Sequence, residues 1–311
     1  VNGKKLHRSY RNRLSNFNSW KAGNDIEKGL LFPQNMGPYL SIDETSLSLG
    51  ELYTIITNKD ARGKKGTVVA IVKGTQSDGI IPLLKRLPKR LRNEVKEVTM
   101  DLAGSMNLIV KHCFPYAKQV IDRFHVQQLG GEALQEIRIQ HRWKAIEAEN
   151  KALEKARKTQ AEYHPKIYAN GDTLKQLLAR SRHLLYKAQV NWSQEQEKRA
   201  SLLFELYPDL GQAYALAQKL SWIYNHSSSK SLALTRLAQW YDQVEKAGFK
   251  TFNTLSKTIQ LHYERILNYF DNRSTNASAE SFNAKIKAFR SQFRGVKDVP
   301  FFLFRLTKLF A

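Results

Sequence analysis

The sequence predicts an α/β fold: a mixed sheet flanked by helices and interrupted by a large all-α insertion. Two observations predict it. Between Tyr39 and Val126, short runs rich in β-branched residues alternate with turns and brief helical stretches. From 127 to 268 the strand signals vanish and helical periodicity takes over. The chain accordingly reads as a basic helical lead (1–37), the first part of a sheet core (38–126), a helical insertion (127–268) and the last part of the core (269–311).

Fifty Lys and Arg stand against 28 Asp and Glu, a net charge of +22 spread along the whole chain. The natural partner of such a surface is a polyanion, most commonly nucleic acid. A ribosome-associated or merely soluble basic protein has the same composition. Cys113 is the single cysteine, which excludes an intrachain disulfide and any cysteine-based zinc site. The sequence carries no signal peptide and no apolar run of about eighteen residues, so a cytosolic protein without a membrane partner is expected.

In the lead, Leu6, Tyr10, Leu14, Phe17 and Trp20 recur at helical spacing, with Lys4, Lys5, Arg8, Arg11 and Arg13 at the other positions. This predicts one amphipathic helix. It suits either lying along a phosphate backbone, through residues such as Arg8 and Arg11, or docking its aromatic stripe on the core. Three runs follow, YLSIDETS, LYTIIT and GTVVAIV, divided by Gly50 and by the turn from Lys59 to Gly63. They read as an antiparallel meander, with Leu40 and Ile42 on one face of the first strand and Ser41 and Asp43 on the other. Glu44 falls on the face opposite Asp43 and reads as structural.

A helix is expected from about Asp78 to Leu87. The segment KRLPKRLR then gathers Lys85, Arg86, Lys89, Arg90 and Arg92, either as a solvated face or as a phosphate contact. Val98, Met100 and Leu102 alternate around Asp101, where a buried strand stops and Ala103-Gly104-Ser105 turns into a helix ended by Pro115. A second strand, Ala117 to Ile121, stops at Asp122, with His125 just beyond. Carboxylates at the carboxyl ends of central strands serve a ligand or a metal better than they serve stability.

Caps punctuate the insertion: Asp172 before TLKQLLARSRHLL, Ser193 before QEQEKRASLLFEL, and Pro208-Asp209 before LGQAYALAQKLSWIY. Ser229 and Gly248 bracket another helix, and Phe252 to Phe270 reads as one more. Leu174, Leu177, Leu178 and Leu185, with Leu232, Leu234, Leu237 and Tyr241, predict a small core belonging to the insertion. Trp192, Trp222 and Trp240 suit helix packing, or stacking on an unpaired base. Near the C-terminus, Asn276 is placed to cap a helix whose Phe282, Ile286, Phe289 and Phe293 form an apolar stripe. Glu280, Asn283 and Lys287 fall together on nearly the opposite face.

A meander carrying Asp43, then a helix, a strand ending at Asp101 and a late helix carrying Glu280 is the chain order of an RNase H-like nucleotidyltransferase. The blocks SIDETS, VTMDLAGSM, VIDRFHV and NASAESFNAKIK resemble the signature blocks of the DDE transposases of bacterial insertion sequences. They are most similar to the ISL3 family, and within it to the branch with a separately encoded end-binding protein. The resemblance runs from about Pro33 to Phe310. It implies an RNase H-like fold, with Asp43, Asp101 and Glu280 as catalytic residues holding two Mg²⁺ or Mn²⁺ ions. It also implies DNA as partner (transposon ends and target), a homodimer or higher complex on that DNA, and a cytoplasmic, nucleoid-associated setting in a bacterium.

The implied activity is metal-dependent cleavage of transposon ends and strand transfer into target DNA. A nuclease of the same fold without strand transfer is one alternative. A non-catalytic DNA-binding relative is another, although such a chain is expected to have lost one of the three carboxylates. Asp122 and His125 are expected close to Asp101, and the insertion over one side of the site, touching end DNA or a second protomer. Lys85, Arg86, Lys89, Arg90, Asn283, Lys287, Arg8 and Arg11 are the candidate DNA contacts. One departure from the family pattern is the lack of a legible zinc ribbon or helix-turn-helix. End recognition therefore falls to this chain alone, to a module upstream of the given sequence, or to a separate small protein.

The residue types suit that chemistry. In-line displacement at a phosphodiester needs an activated attacking oxygen and a stabilised leaving oxygen, and two divalent ions roughly 3.5–4 Å apart serve both. Mg²⁺ selects oxygen ligands and retains waters, whereas His or Cys in these positions would favour zinc.

Overall fold

β-Branched residues build the sheet where their alternation places it. In the computed structural model, which describes residues 3–48, 50–292 and 296–311, the strands are β1 (Leu30–Leu31), β2 (Tyr39–Ser48), β3 (Glu51–Asn58), β4 (Val68–Lys73), β5 (Glu97–Met100) and β6 (Lys118–Ile121). They form a six-stranded sheet in the order β1-β4-β3-β2-β5-β6. The expected meander is β2-β3-β4, and the short edge strand β1 adds to β4 through the Leu30–Ile71 pair. β2, β5 and β6 run parallel. Parallel neighbours require crossovers, supplied after two lead helices, α1 (Gly3–Ser9) and α2 (Phe17–Gly23), by α3 (Ser77–Leu84), α4 (Lys89–Glu94) and α5 (Gly104–Cys113). One sheet face, with Leu40, Ile42, Val98 and Met100, packs on Ile80 and Leu84 of α3 and on Ile109 and Val110 of α5. This mixed sheet flanked by helices is the RNase H-like α/β arrangement, and an all-helical segment interrupts it.

The chain divides into two units: Val1–Asp122 with Asp271–Ala311, and Arg123–Phe270. The second unit contains the long α6 (Arg123–Lys158), then α7 (Leu174–Arg180), α8 (Gln194–Leu206), α9 (Pro208–His226), α10 (Lys230–Ala247), α11 (Lys250–Leu261) and α12 (Tyr263–Leu267). Its interior is built from Leu134, Leu177, Leu203, Leu220, Leu237, Trp240 and Ile259, all buried. α13 (Tyr269–Asn272) ends it and leads back to the sheet unit.

Several helix ends differ from the expectation, each for a local reason. Thr173, not Asp172, caps α7, in a capping box with Gln176. That leaves the buried Asp172 carboxylate to pair with Arg180 and Arg199. The run expected to continue to Leu185 stops at Ser181, whose hydroxyl donates back to the Leu177 carbonyl at 2.7 Å. Ser193 caps α8 and Ser229 caps α10 as expected, and Gly248 ends α10 at φ 69°, a left-handed conformation that suits glycine. The buried stripe of α10 is Ala233, Leu237, Trp240 and Val244, while Leu234 is exposed. The indole N–H of Trp240, donated to the Leu216 carbonyl at 2.9 Å, fixes that rotation. The run from Phe252 to Phe270 breaks at His262, whose N–H is shared between the Thr258 and Ile259 carbonyls. Trp192 also bonds a backbone carbonyl, that of Leu184, so both indoles are packing residues.

The chain closes with α14 (Ala277–Gln292) and α15 (Val299–Phe310). Phe282 and Ile286 of α14 join Leu303 and Leu306 of α15 against Leu47, Tyr53 and Ile55 on the second sheet face. Phe293, the last member of the expected stripe, lies outside the described residues. The lead is not one helix. After α1 the chain makes one wide π turn, Tyr10–Leu14, and breaks at Ser15, whose hydroxyl bonds the Arg11 carbonyl and accepts the Phe17 N–H. Leu6, Tyr10 and Leu14 are left exposed, Tyr10 touching only the edge of Phe301, while Phe17 and Trp20 dock on Phe301 and Phe304.

Candidate active site

Register, not sequence proximity, brings the first two carboxylates together. Along the parallel β2–β5 pair, Tyr39 faces Glu97 and Ser41 faces Thr99. Continuing two residues sets Asp43 level with Asp101 on strands roughly 4.8 Å apart. Asp101 follows the last residue of β5, and its Oδ1 accepts the Ala103 N–H at 2.9 Å, which turns the chain into α5. Asp43 Oδ1 accepts the N–H of Glu44 at 2.8 Å. Its Oδ2 accepts the amide of Asn283 at 2.7 Å, a contact spanning 240 residues.

That contact locates the polar face of α14. Glu280, Asn283 and Lys287 lie within about 60° of one another around the helix axis. With Phe282 and Ile286 buried against the sheet, this face turns toward Asp43 in the middle of β2. Glu280 stands in the first turn of α14, exposed and one turn before Asn283, and Lys287 is exposed one turn beyond it. Among the described residues no three His, Cys, Asp or Glu side chains gather closely enough to hold a metal ion. The gathered elements are thus Asp43, Asp101 and the amide of Asn283, with Glu280 on the same helical face.

Asp122, 1% exposed, accepts the Asn276 N–H at 2.8 Å and so fixes the start of α14 against the end of β6. The expected cap by Asn276 is not formed. Its buried side-chain amide has no partner among the described residues, and Asp122 meets the backbone there instead. Nearby on the same sheet face, Lys59 donates to Glu97 at 3.1 Å and to Thr99, and Asn272 donates to the other Glu97 oxygen at 3.3 Å. A buried ion pair of this kind holds geometry more than it adds stability. His125 lies in the helical unit, edge-on to Phe124.

Glu44 carries a signal that sequence reading missed. It stands on the strand face opposite Asp43, as expected, yet its carboxyl is raised above the usual range. Burial is the largest cause, followed by the charge of Asp101 and then of Asp43. Beyond burial, negative charge from Asp101 and Asp43 therefore converges on Glu44. The oxygen-only donors and that charge fit a hard divalent cation such as Mg²⁺ or Mn²⁺. The fit is one of donor chemistry: Asp43 and Asp101 belong to neighbouring strand segments, and α14 carries a third carboxylate, Glu280.

The candidate DNA contacts are dispersed through the sheet unit. Lys85 and Lys89 are exposed, Arg86 donates to the Lys28 carbonyl, and Arg90 pairs with Glu94 at 2.8 Å. Arg92 instead ties α4 to the Leu87 and Cys113 carbonyls. Arg8 is exposed. Arg11 is held by Asp298 through two nitrogens, at 2.8 and 2.7 Å, and lies over Phe17, so it anchors the lead.

The chain is similar to known transposases. A family model described as a transposase of the DDE type, ISL3 group, matches residues 40–306. The transposase for insertion sequence element IS1001 of Bordetella parapertussis is 22% identical over 275 residues, covering 88% of this chain and 61% of that protein. The chain thus spans about three fifths of the length of that relative. No solved structure matches. Among the described residues, no helix is long and apolar enough to cross a membrane.

Proposed function

The chain belongs to the ISL3 family of DDE transposases, and we propose that it cleaves transposon-end DNA and transfers the freed strand into target DNA. The observation that carries this reading is the parallel β2–β5 register, which leads toward Asp43 and Asp101, together with the Asn283 amide that ties the Glu280-bearing side of α14 to Asp43. Asp43 and Asp101 would hold the divalent ion, with Glu280 completing the donor set. When bound, the metal activates the attacking oxygen and stabilises the leaving one. Asn283 orients the Asp43 carboxylate, Asp122 fixes the start of α14, and Lys287 is placed to meet a phosphate. The net charge of +22 supports DNA as the substrate.

Asp43→Asn, Asp101→Asn and Glu280→Gln are each expected to abolish cleavage of end DNA in Mg²⁺ or Mn²⁺ while leaving DNA binding intact. Full cleavage by any one of them would sink the assignment. Strand transfer is read separately on pre-cut ends. Joining supports a transposase, whereas cleavage without joining identifies a nuclease of the same fold.

A further inference from the structure

The helical unit contains a cluster of like charges that none of the elements above uses. Arg138 on α6 is only 4% exposed, an unusual place for a guanidinium. It donates to the Gln135 side chain at 2.6 Å and to the Leu178 carbonyl at 2.8 Å. No carboxylate pairs with it, or with its neighbours Arg142 and Arg182, among the described residues. Its pKa is lowered, first by burial and then by the charges of Arg142 and Arg182. A buried cation flanked by two more, with no ion-paired carboxylate among the described residues, is destabilised by them, and a bound anion would relieve that.

An open cavity of about 640 Å³ lies against this cluster. At 100° per residue, Gln135, Arg138 and Arg142 occupy one flank of α6 within about 60°, and Glu132, Glu136 and Trp143 the other within about 40°. The arginines and Arg182 line one side of the cavity, and Glu132 and Glu136, both exposed, line it on the Trp143 flank. Trp143 is 59% exposed and Tyr186 is 48% exposed, both lining the cavity. Tyr186 lies so close to α6 that a Cβ at Gly131 would stand 2.6 Å from its ring, so the glycine is what seats it there.

We propose that Arg138, Arg142 and Arg182 form a phosphate-binding site for a nucleic-acid strand, with Trp143 and Tyr186 placed to stack on an unpaired base beside the bound phosphate. Guanidinium forks match phosphate oxygens in pairs, and aromatic faces beside a basic groove are the general means of holding single strands. The inference rests on the reading that the chain handles DNA, and it assigns one binding surface to the helical unit.

The test uses the full chain with EDTA present, so that cleavage plays no part, and a fluorescein-labelled single-stranded oligonucleotide of mixed sequence. Arg142→Gln with Arg182→Gln, both on exposed residues, should weaken binding on the order of tenfold. The same change should lower the slope of log affinity against log salt by roughly 1.4, about 0.7 for each phosphate no longer neutralised. Trp143→Phe should remove the fluorescence quench on binding while leaving that slope unchanged. Arg138→Gln is read alongside a thermal melt, because its side chain also ties α6 to α7. Unchanged affinity and slope in the Arg142/Arg182 variant would overturn the site. So would a quench produced by inorganic phosphate together with an unchanged oligonucleotide affinity. A protein that binds in this way but never cuts refutes the transposase reading alone; one that cuts normally but ignores these substitutions refutes only the site.

Discussion

Because Asp122 is buried and accepts the Asn276 N–H, removing its carboxyl leaves a buried donor without a partner. Asp122→Ala is expected to cost about 1–3 kcal/mol in urea unfolding. Asp122→Asn still offers an acceptor oxygen and should retain most stability and cleavage. If the Asn variant folds normally yet loses cleavage, Asp122 is a metal ligand and not a pin for α14. Cys113 permits a second check at this scale. Burial pushes its thiol up to about 11, leaving roughly one thiolate in a thousand at pH 8. The native protein should therefore resist a thiol-specific disulfide reagent at pH 8 and react fully in denaturant. Rapid native labelling would mean that α5 opens readily. Asp101 and Asp122 were legible in the sequence because alternation shows where strands end, and Asp43 because alternation shows which strand face it takes; β2 itself runs on past Asp43 to Ser48. The Asn283–Asp43 hydrogen bond was not, since no local pattern links residues 240 apart.

At the scale of elements, strand alternation read well and helix rotation read poorly. β2, β3 and β4 follow their β-branched runs closely. In α10, by contrast, leucine spacing pointed to Leu234, while the Trp240 indole bond turns the helix so that Ala233 and Leu237 face inward. Leu237→Ala should thus cost about 2–5 kcal/mol, and Leu234→Ala at most about 0.5 kcal/mol. Equal losses would place both residues in the core. The lead shows the same limit. Its aromatic spacing suits one helix, but the Ser15 hydroxyl competes for backbone groups and breaks it, so Phe17 docks and Leu14 does not.

For the whole molecule, the places where the chain leaves and re-enters the sheet unit decide whether the helical unit is separable. Lys118 on β6 pairs with Asp271 at 2.6 Å, and Asp122 bonds Asn276 at 2.8 Å, so exit and return lie side by side. The six strands, α14 and α15 all belong to the sheet unit, and its two apolar layers draw only on its own residues. Replacing Arg123–Phe270 with a short Gly/Ser linker should therefore leave a cooperatively folding protein with Cys113 still protected. The same replacement removes Arg138, Arg142 and Arg182, whose cluster has no counterpart among the sheet-unit side chains described above. End cleavage by the shortened protein should be lost, and the salt dependence of its DNA binding should be shallower than that of the full chain. If it folds and still cuts and joins ends at normal rates, the helical unit is a spacer, and the catalytic role belongs to the sheet unit alone.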